Sequence, residues 1–347
     1  MKKDKKITTS KRTCTIFTLP GYYNYGNRLQ LFALTKVLNK LGFKTYAYKR
    51  KTFKSIIKEF LKHNTPLGLF NKKEVKLKKF TRKYIREKSI IKQTDYSVVG
   101  SDQVWNPNFF KNRPFLIDVP NESVKVSYAA SIGKETLTED ELSRFKASLN
   151  NYKRISVRER SAKDLLQPIT DKEIEVVLDP TLLLSKEDYI KLEKKPKNIE
   201  TGEKYILCYI LGGTEQMDAI NTFALEHGYR IIPFSDRNDS KYGVEEFLYL
   251  IHHAALICTD SFHACVFSII FERPFVAFRR TGKHSYMFTR LQNLINTFEL
   301  KNREYNGTSI TKENVNLDYS KVNSILETRR KESLRYLKTA LEVEDEN

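Results

Sequence analysis

Short apolar runs alternate with longer amphipathic stretches along most of this chain, and the alternation predicts its elements. In the first half, runs rich in β-branched and aromatic residues predict strands at 13–19, 45–48, 96–99, 124–129, 154–157 and 174–178. Residues 27–41 carry apolar side chains at the spacing of a helix. Strands that alternate with helices predict a parallel sheet with helices on both faces.

The same alternation starts again after a polar, lysine-rich stretch at 191–204. It predicts strands at 205–210, 229–233, 255–259 and 274–278, and helices at 215–227, 244–253 and 261–271. Because a length of 347 residues suits two domains better than one, we expect an α/β protein with two doubly wound, Rossmann-like domains. Their predicted bounds are 1–185 and 200–300, followed by a closing helix at 318–343.

Positive charge is concentrated in one segment. The chain has 61 Lys and Arg against 42 Asp and Glu, a net charge of +19, so an anionic partner is expected. Residues 49–92 contain sixteen of the basic residues and three acids, and therefore supply +13 (16 − 3) of that charge. Within this basic helical insertion, an apolar stripe lies beside a row of lysines: Phe53, Ile56, Ile57, Phe60 and Leu61 beside Lys54, Lys58 and Lys62. The stripe either packs on its own domain under a solvated lysine face or lies on an anionic membrane.

The cysteines indicate a reducing compartment. Cys14, Cys208, Cys258 and Cys265 lie in apolar runs without Cys-x-x-Cys or disulfide-like spacing, as buried, reduced cysteines do. No uncharged apolar run approaches the ~18 residues of a membrane span, and the apolar stretch after the basic start ends at Pro20, too soon for a signal peptide. We therefore expect a cytoplasmic protein, located at the inner face of the membrane if the basic helix binds lipid.

Candidate binding residues follow the strands, because ligands of parallel sheets bind beyond the carboxyl ends of the strands. The first strand is followed by GYYNYGNR at 21–28, which includes Gly26 and Asn27. This stretch is either a plain turn or a loop whose glycines let a ligand approach the N-terminus of the next helix.

The strand at 96–99 is followed by GSDQVWNP at 100–107, which contains the only tryptophan of the chain. Trp105 is flanked by Asp102, Gln103 and Asn106. An aromatic face beside carboxylate and amide groups is a combination that holds sugars. The alternative is a buried structural tryptophan with polar neighbours.

Further strand ends carry cations. Arg158 follows the strand at 154–157, where its guanidinium can bind a carboxylate or phosphate, or form a surface ion pair. In TDSFHA at 259–264, His263 falls in the first turn of a predicted helix, where it either meets an anion and transfers a proton or is structural. Two other groups follow strands of the second half and would face the same crevice: Gly212-Gly213-Thr214 and Arg279-Arg280.

Other kinds of site are not indicated. No His-Glu-x-x-His motif or Cys/His cluster predicts a metal site, and His252 and His253 are adjacent, so we expect them to point to different sides. There is no Gly-x-Ser-x-Gly elbow, and the basic insertion matches no nucleic-acid-binding module. We therefore expect neither a metal nor a nucleic-acid partner.

Taken together and in this order, the motifs resemble the polysaccharide pyruvyl transferase family. The matching runs are GNRLQ (26–30), VGSDQVWNP (99–107), SYAAS (127–131), ISVRE (155–159), VLDPT (177–181) and TDSFH (259–263). The resemblance implies a two-domain fold like the B-type glycosyltransferases, with the active site between the domains. It also implies transfer of pyruvate from phosphoenolpyruvate, a co-substrate used without a cofactor, onto two hydroxyls of a sugar. The product would be a cyclic ketal, with release of phosphate.

The resemblance also implies roles for individual residues. Arg158 would bind the donor anion, and His263 would transfer a proton or stabilise the phosphate. Ser261 stands where some branches of the family have an arginine, so the second phosphate ligand would be Arg279 or Arg280. The implied donor side is Arg158, Ser261, Phe262, His263 and Arg279, and the implied acceptor side is Gly26, Asn27, Asp102, Gln103, Trp105 and Asn106.

Three functional hypotheses follow from these observations. The first is a ketal pyruvyl transferase acting on a precursor of a cell-surface polysaccharide, such as a capsule or exopolysaccharide, with a lipid-linked glycan as acceptor. The second is a B-type glycosyltransferase using a nucleotide sugar, because the fold and the basic cleft would serve both enzymes. The third is a non-enzymatic basic adaptor, which the motifs at strand ends in both halves argue against.

Overall fold

The computed structural model describes residues 11–49, 72–89, 93–109, 119, 122–212, 217–234, 241–280 and 288–344. The apolar stripe predicted at 53–61 lies outside these residues, as do Gly213 and Thr214.

The first half of the chain forms a seven-stranded parallel sheet. Its strands are β1 (Thr13–Phe17), β2 (Lys44–Tyr48), β3 (Glu87–Lys88), β4 (Tyr96–Val99), β5 (Val124–Ser127), β6 (Tyr152–Val157) and β7 (Ile174–Val176). They lie in the order β3-β2-β1-β4-β5-β6-β7, and each neighbouring pair is parallel. The chain therefore starts in the middle and winds to both edges, as the doubly wound prediction requires. All four residues of β4 are buried, as expected of a strand covered on both faces.

The second half forms a separate four-stranded sheet. Its strands are β8 (Tyr205–Tyr209), β9 (Arg230–Pro233), β10 (Leu256–Thr259) and β11 (Phe275–Ala277), in the order β11-β10-β8-β9. These pairs are parallel as well. The two sheets fall on either side of the polar stretch 191–204, and the strands predicted from hydrophobic pattern are confirmed to within about two residues at each end.

Helices cover the faces of both sheets. They are α1 (Tyr25–Lys40), α2 (Lys72–Tyr84), α3 (Glu139–Leu149), α4 (Arg160–Leu166), α5 (Lys186–Ile190), α6 (Met217–His227), α7 (Val244–His252), α8 (Phe262–Ile270), α9 (Phe288–Thr297) and α10 (Ser320–Ala340). Short 3-10 turns occur at Pro107–Phe109, Gln167–Ile169, Pro180–Leu183, Lys301–Arg303 and Lys312–Asn314. Local capping sets several helix starts: Asn24 accepts from the N–H of Asn27 at 2.8 Å to begin α1, and Thr138 opens α3 with a capping box.

Helix α1 joins the two halves at its N-terminus. The ring of Tyr25 lies 5.0 Å from the ring of Phe234 and 5.2 Å from that of Phe247, and its hydroxyl donates to the carbonyl of Tyr242 at 3.0 Å. The first turn of α1 is thereby anchored to the second half, although the helix itself follows a strand of the first.

The last helix returns to the first half. The Tyr336 hydroxyl donates to the carbonyl of Ser127 at 2.7 Å, and the Ser333 hydroxyl accepts from the N–H of Leu178 at 3.0 Å. Beyond the end of α10, the Arg12 side chain donates to the carbonyl of Glu342 at 2.8 Å. The predicted closing helix therefore completes the packing of the first sheet.

Two predictions about the chain as a whole can be compared with the structure. The four cysteines are buried and unpaired, as predicted, and burial raises the pKa of each thiol, so none is poised as a nucleophile. Among the described helices, none has the length and apolar character needed to cross a membrane.

Candidate active site

Strand ends and helix starts from both halves of the chain converge on one group of polar side chains. We call this group the cleft cluster: Gly26, Asn27, Asp102, Gln103, Arg158, Glu159, Asp179, Phe262, His263 and Arg290. It includes residues from the N-terminus of α1, the loops after β4, β6 and β7, the N-terminus of α8, and the first turn of α9. This is the edge at which parallel sheets bind their ligands.

His263 lies between the two halves of the chain. A Cβ placed on Gly26 would come within 2.0 Å of Nδ1 of His263, so the imidazole rests directly on the backbone of α1. On its other side, Nε2 lies 3.7 Å from Oδ2 of Asp179 and has no hydrogen-bond partner. The imidazole is thus held beside a carboxylate, with one nitrogen available for a proton.

Asp179 is the hub of the cluster. Its Oδ2 accepts from Nη1 of Arg158 at 3.0 Å and from the hydroxyl of Ser101 at 3.3 Å, while Oδ1 accepts from the hydroxyl of Thr181 at 2.7 Å. Burial raises the pKa of Asp179, but His263 and Arg158 outweigh burial and hold it well below its usual range. Asp179 therefore stays ionised beside His263 and Arg158.

Asp102 is the second carboxylate facing this point. It has a φ of 76°, in the left-handed region that Asp tolerates better than most residues, and its Oδ2 accepts from Nδ2 of Asn27 at 3.2 Å. Burial opposes its ionisation, yet the charges of Arg158, His263 and Arg290 lower its pKa. Of the predicted acceptor-side residues, Gly26, Asn27, Asp102 and Gln103 are brought together.

Arg158 presents part of its guanidinium without a partner. It is 8% exposed, and its Nε and Nη2 make no hydrogen bond, although Nε lies 3.6 Å from a Glu159 oxygen. Its guanidinium carbon lies 4.3 Å from the ring centroid of Phe262, the first residue of α8. Ser261 precedes that helix at the N-cap position, and its backbone N–H donates to the hydroxyl of Thr259 at 3.0 Å.

A cleft of about 500 Å³ opens beside these side chains. Arg158, Asp179, Phe262 and Arg290 lie in its wall, which continues along α4, α9 and α10. Its size suits a small metabolite and a part of a larger one.

The predicted acceptor residues lie outside the described wall of this cleft, and two of them have no surface to offer a sugar. Trp105 is 1% exposed, and its ring meets those of Phe145 and Tyr152 edge to face at 6.0 and 5.8 Å. The prediction that it offers a face to a sugar is therefore wrong, because the indole belongs to the hydrophobic core. Asn106 is fully buried and its amide lies 2.7 Å from that of Gln103, so it positions Gln103 but has no surface for a sugar.

The two arginines after β11 form ion pairs with acidic side chains. The Arg279 side chain is 67% exposed, pairs with Glu304 at 2.5 Å and lies outside the described wall of the cleft, so its role as a donor ligand stays a prediction. Arg280 instead donates to Oδ2 of Asp260 at 3.0 Å, and Asp260 accepts from the backbone of Leu211 and Gly212. Arg280 therefore braces the loops that precede α8.

The adjacent histidines at the end of α7 were expected to diverge, and this expectation is wrong. His252 Nδ1 lies 2.8 Å from one oxygen of Glu193, and His253 Nε2 lies 3.4 Å from the other. These ligand-type atoms lie within 4.8 Å of one another, which is compatible with a shared cation, so adjacency alone does not exclude a metal here.

The predicted site lacked three residues of the cleft cluster: Glu159 and Asp179, which the sequence showed only within the runs ISVRE and VLDPT, and Arg290. Arg290 occupies the buried face of α9 together with Leu291, Leu294 and Ile295, and its guanidinium carbon lies 5.9 Å from the ring centroid of Phe262. An arginine inside the apolar stripe of an amphipathic helix is the signal that could have revealed it, since arginine is almost never fully buried without a partner.

The model of one protein family, polysaccharide pyruvyl transferase, matches residues 24–282. No curated protein sequence matches the chain. Among solved structures, a Listeria monocytogenes protein described as a UDP-N-acetylglucosamine 2-epimerase is similar at 12% identity and a TM-score of 0.52, covering 97% of this chain and 98% of its own.

Two further solved structures are similar over almost the whole chain. One is the S. aureus MnaA–UDP complex, with 11% identity and a TM-score of 0.49, covering 97% of this chain and 99% of its own. The other is the UDP-GlcNAc 2-epimerase of Methanocaldococcus jannaschii, with 14% identity and a TM-score of 0.48, covering 95% of this chain and 99% of its own. At this identity the likeness concerns the fold alone, and the Listeria structure confirms the predicted resemblance to the B-type glycosyltransferase fold.

Proposed function

The chain belongs to the polysaccharide pyruvyl transferase family, and on this premise we propose that it transfers the pyruvyl group of phosphoenolpyruvate to two hydroxyls of one sugar. The sugar would be part of a cell-surface polysaccharide precursor, and the products would be a cyclic ketal and phosphate. The observation that carries the proposal is the position of His263 between Asp179 and the N-terminus of α1, next to the partly unpartnered Arg158.

Overall, the reaction moves two protons, from the two sugar hydroxyls to C3 of the donor and to the phosphate, and releases one anion. A proton added to C3 of the donor makes C2 oxocarbenium-like, and the first sugar hydroxyl forms a C–O bond to C2 as it loses its proton. The bond between C2 and the phosphate oxygen then breaks, and phosphate leaves with the electron pair. The second hydroxyl forms the other C–O bond, so one hydroxyl proton is balanced by the new methyl group and the other by the phosphate.

The cleft cluster offers groups to protonate the donor, to bind its anionic groups and to hold the sugar hydroxyls. His263 can deliver the proton because its Nε2 has no hydrogen-bond partner and lies 3.7 Å from the Asp179 carboxylate. Arg158 can pair with the donor's carboxylate or phosphate through its unpartnered N–H groups. Asn27 and Asp102, joined at 3.2 Å, can hold the sugar hydroxyls.

A lipid-linked acceptor is supported by a second concave surface, which we call the basic groove. It has a volume of about 580 Å³ and lies between β2, β3 and α2. The described residues that line it include Tyr22, Tyr46, Lys49, Lys78, Arg82, Arg86, Glu87 and Lys88.

The basic groove adjoins the acceptor side of the cleft cluster. The Glu87 carboxylate pairs with Arg28 at 3.3 Å, and Arg28 donates from Nε to Oδ1 of Asn27 at 3.1 Å. A diphosphate in the groove would therefore lie next to a sugar held by Asn27. We propose that the acceptor is joined to a membrane carrier through such a diphosphate, and that the protein works on the cytoplasmic face of the membrane.

The test is release of phosphate from phosphoenolpyruvate in the presence of carrier-linked glycans, run beside a panel of nucleotide sugars. We expect release to require both phosphoenolpyruvate and a glycan, and His263→Gln to lower turnover by about 10²-fold or more. His253→Gln, at an exposed histidine remote from the cleft, is the matched control. Consumption of a nucleotide sugar in place of phosphoenolpyruvate would replace this proposal with the glycosyltransferase hypothesis.

The role of Arg158 is tested by conservative replacement. Arg158→Lys keeps the charge but loses the planar fork, so we expect phosphoenolpyruvate binding to weaken by roughly 1–3 kcal/mol. Unchanged affinity by calorimetry would assign the donor anion to another cation.

A further inference from the structure

Arg290 is a buried cation that lacks a carboxylate partner. It is 8% exposed, and no Asp or Glu oxygen within the described residues forms an ion pair with it. The other buried arginines are compensated: Arg28 pairs with Glu87, Arg158 pairs with Asp179, and Arg303 donates to two backbone carbonyls. The carboxylates of Asp102 and Glu159 are close enough to act on its charge but form no ion pair with it. Burying a guanidinium without an ion pair is costly, so this exception calls for a reason.

The nearest polar group to Arg290 is a neutral amide. With its oxygen turned toward the arginine, Gln103 accepts from Nη1 and Nη2 at 3.0 and 3.2 Å. The remaining donor, Nε, is buried and has no hydrogen-bond partner. Gln103 can therefore orient the guanidinium, but it cannot neutralise it.

Arg290 and Arg158 share the ring of Phe262. Their guanidinium carbons lie 5.9 and 4.3 Å from its centroid, and both line the same cleft. Burial, and after it the charge of Arg158, lower the pKa of Arg290 to about 10, although the carboxylates of Asp102 and Glu159 oppose them. The carboxylates of Asp102, Glu159 and Asp179 already lie near these two cations. The two guanidinium groups nevertheless keep N–H donors without partners, Nε of Arg290 and Nε and Nη2 of Arg158, which an anion can occupy.

We propose that Arg158 and Arg290 form one anion-binding site over Phe262, and that Arg290 is the second ligand of the donor's phosphate. This inference rests on the proposed function for the identity of the donor. It also accounts for Ser261, since the guanidinium that is absent two residues before His263 is supplied from α9 instead. Because both arginines are buried, the ligand must be a small phosphorylated anion that enters the cleft, rather than a membrane surface or a polymer.

The test measures anion binding without an acceptor. Phosphoenolpyruvate and inorganic phosphate are titrated by calorimetry and by thermal shift into wild type, Arg290→Gln and Arg290→Lys. Arg230→Gln, the same replacement at an exposed arginine that pairs with Glu203, is the matched control. We expect Arg290→Gln to weaken binding of both anions at least tenfold, and Arg290→Lys to be intermediate because it keeps the charge without the planar fork. Arg230→Gln should bind both anions as wild type does.

The melting temperature without anion separates a ligand role from a structural one. Arg290→Gln should melt no lower than wild type, because a neutral amide replaces an unpaired buried charge, while the rise in melting temperature caused by the anions should be lost. Wild-type affinity in Arg290→Gln and Arg290→Lys, a fall in the melting temperature of both variants without anion, or failure of wild type to bind either anion would overturn the inference. If wild type binds phosphoenolpyruvate through Arg290 but no glycan supports turnover, the anion-binding site is supported and the proposed pyruvyl transfer is rejected.

Discussion

Replacing Gly26 with alanine should inactivate the protein while changing its stability only modestly. Gly26 lies in the first turn of α1, where alanine would ordinarily stabilise a helix by about 0.5–1 kcal/mol. Its Cβ, however, would lie 2.0 Å from Nδ1 and 2.1 Å from Cγ of His263. Since non-bonded heavy atoms settle at roughly 3.5 Å, the imidazole must move by about 1.5 Å.

The two consequences of that movement differ in size. Overpacking by the added methyl group costs roughly 1–3 kcal/mol. The gain in helix propensity partly offsets this cost, so the free energy of unfolding should fall by about 0–2.5 kcal/mol. A misplacement of about 1 Å at a reacting group can cost ~10² in rate. Gly26→Ala should therefore lose about 10²-fold in phosphate release and still unfold cooperatively.

A double-mutant cycle with His263→Ala isolates the cause. When the imidazole is absent, the added methyl group has free space, so Gly26→Ala should be neutral or slightly stabilising in the His263→Ala background. Denaturant unfolding gives the stabilities, and phosphate release gives the rates. Equal destabilisation in both backgrounds, or near-wild-type turnover of Gly26→Ala, would show that the contact with His263 is not what requires glycine.

Further predictions concern the carboxylates, the tryptophan and the basic groove. Because the pKa of Asp179 is lower in the folded protein than in the unfolded chain, its stabilising contribution is present above about pH 4 and is lost as the pH falls toward the folded value; Asp179→Asn should flatten the acid side of the stability curve measured by urea unfolding. Trp105→Phe should cost about 1–3 kcal/mol of stability and leave the KM for the glycan unchanged, because Trp105 is buried in the core. A raised KM would show that Trp105 does contribute to sugar binding. The charge reversals Lys78→Glu and Arg82→Glu should raise the KM for a diphosphate-linked acceptor and leave the KM for a soluble acceptor unchanged, and high salt should have the same effect. Equal effects on both acceptors would show that the basic groove does not bind the diphosphate.

The hydrophobic pattern predicted the fold well because burial in parallel sheets leaves a strong local signal. Strand β4 and helix α1 were found within two residues of their ends, since their apolar residues follow the geometry of a strand buried on both faces and of a helix packed on most of its surface. Shorter elements such as α4 have too few residues to show a period and were not predicted.

Side-chain direction explains the errors at the site. Position after a strand correctly placed Arg158 and His263, but the same rule placed Trp105 and Arg279 there too, and only packing shows that one turns into the core and the other out to Glu304. Arg290 was not predicted as a site residue because α9 follows no recognisable motif. Its contact with Phe262 is between two helices, α9 and α8, that are brought together only in the folded protein. Such contacts depend on how helices cross, which one sequence does not reveal.

The return of α10 to the first sheet has a consequence for how the protein is made. Tyr336 and Ser333 supply hydrogen bonds to the backbone at Ser127 and Leu178, so the N-terminal half leaves the ribosome without its last layer. At a synthesis rate of about 5–20 residues per second, roughly 10–30 s pass between Leu178 and the end of α10. During that interval the first sheet exposes the apolar surface that α10 later covers, which makes the nascent N-terminal half a natural client for chaperones.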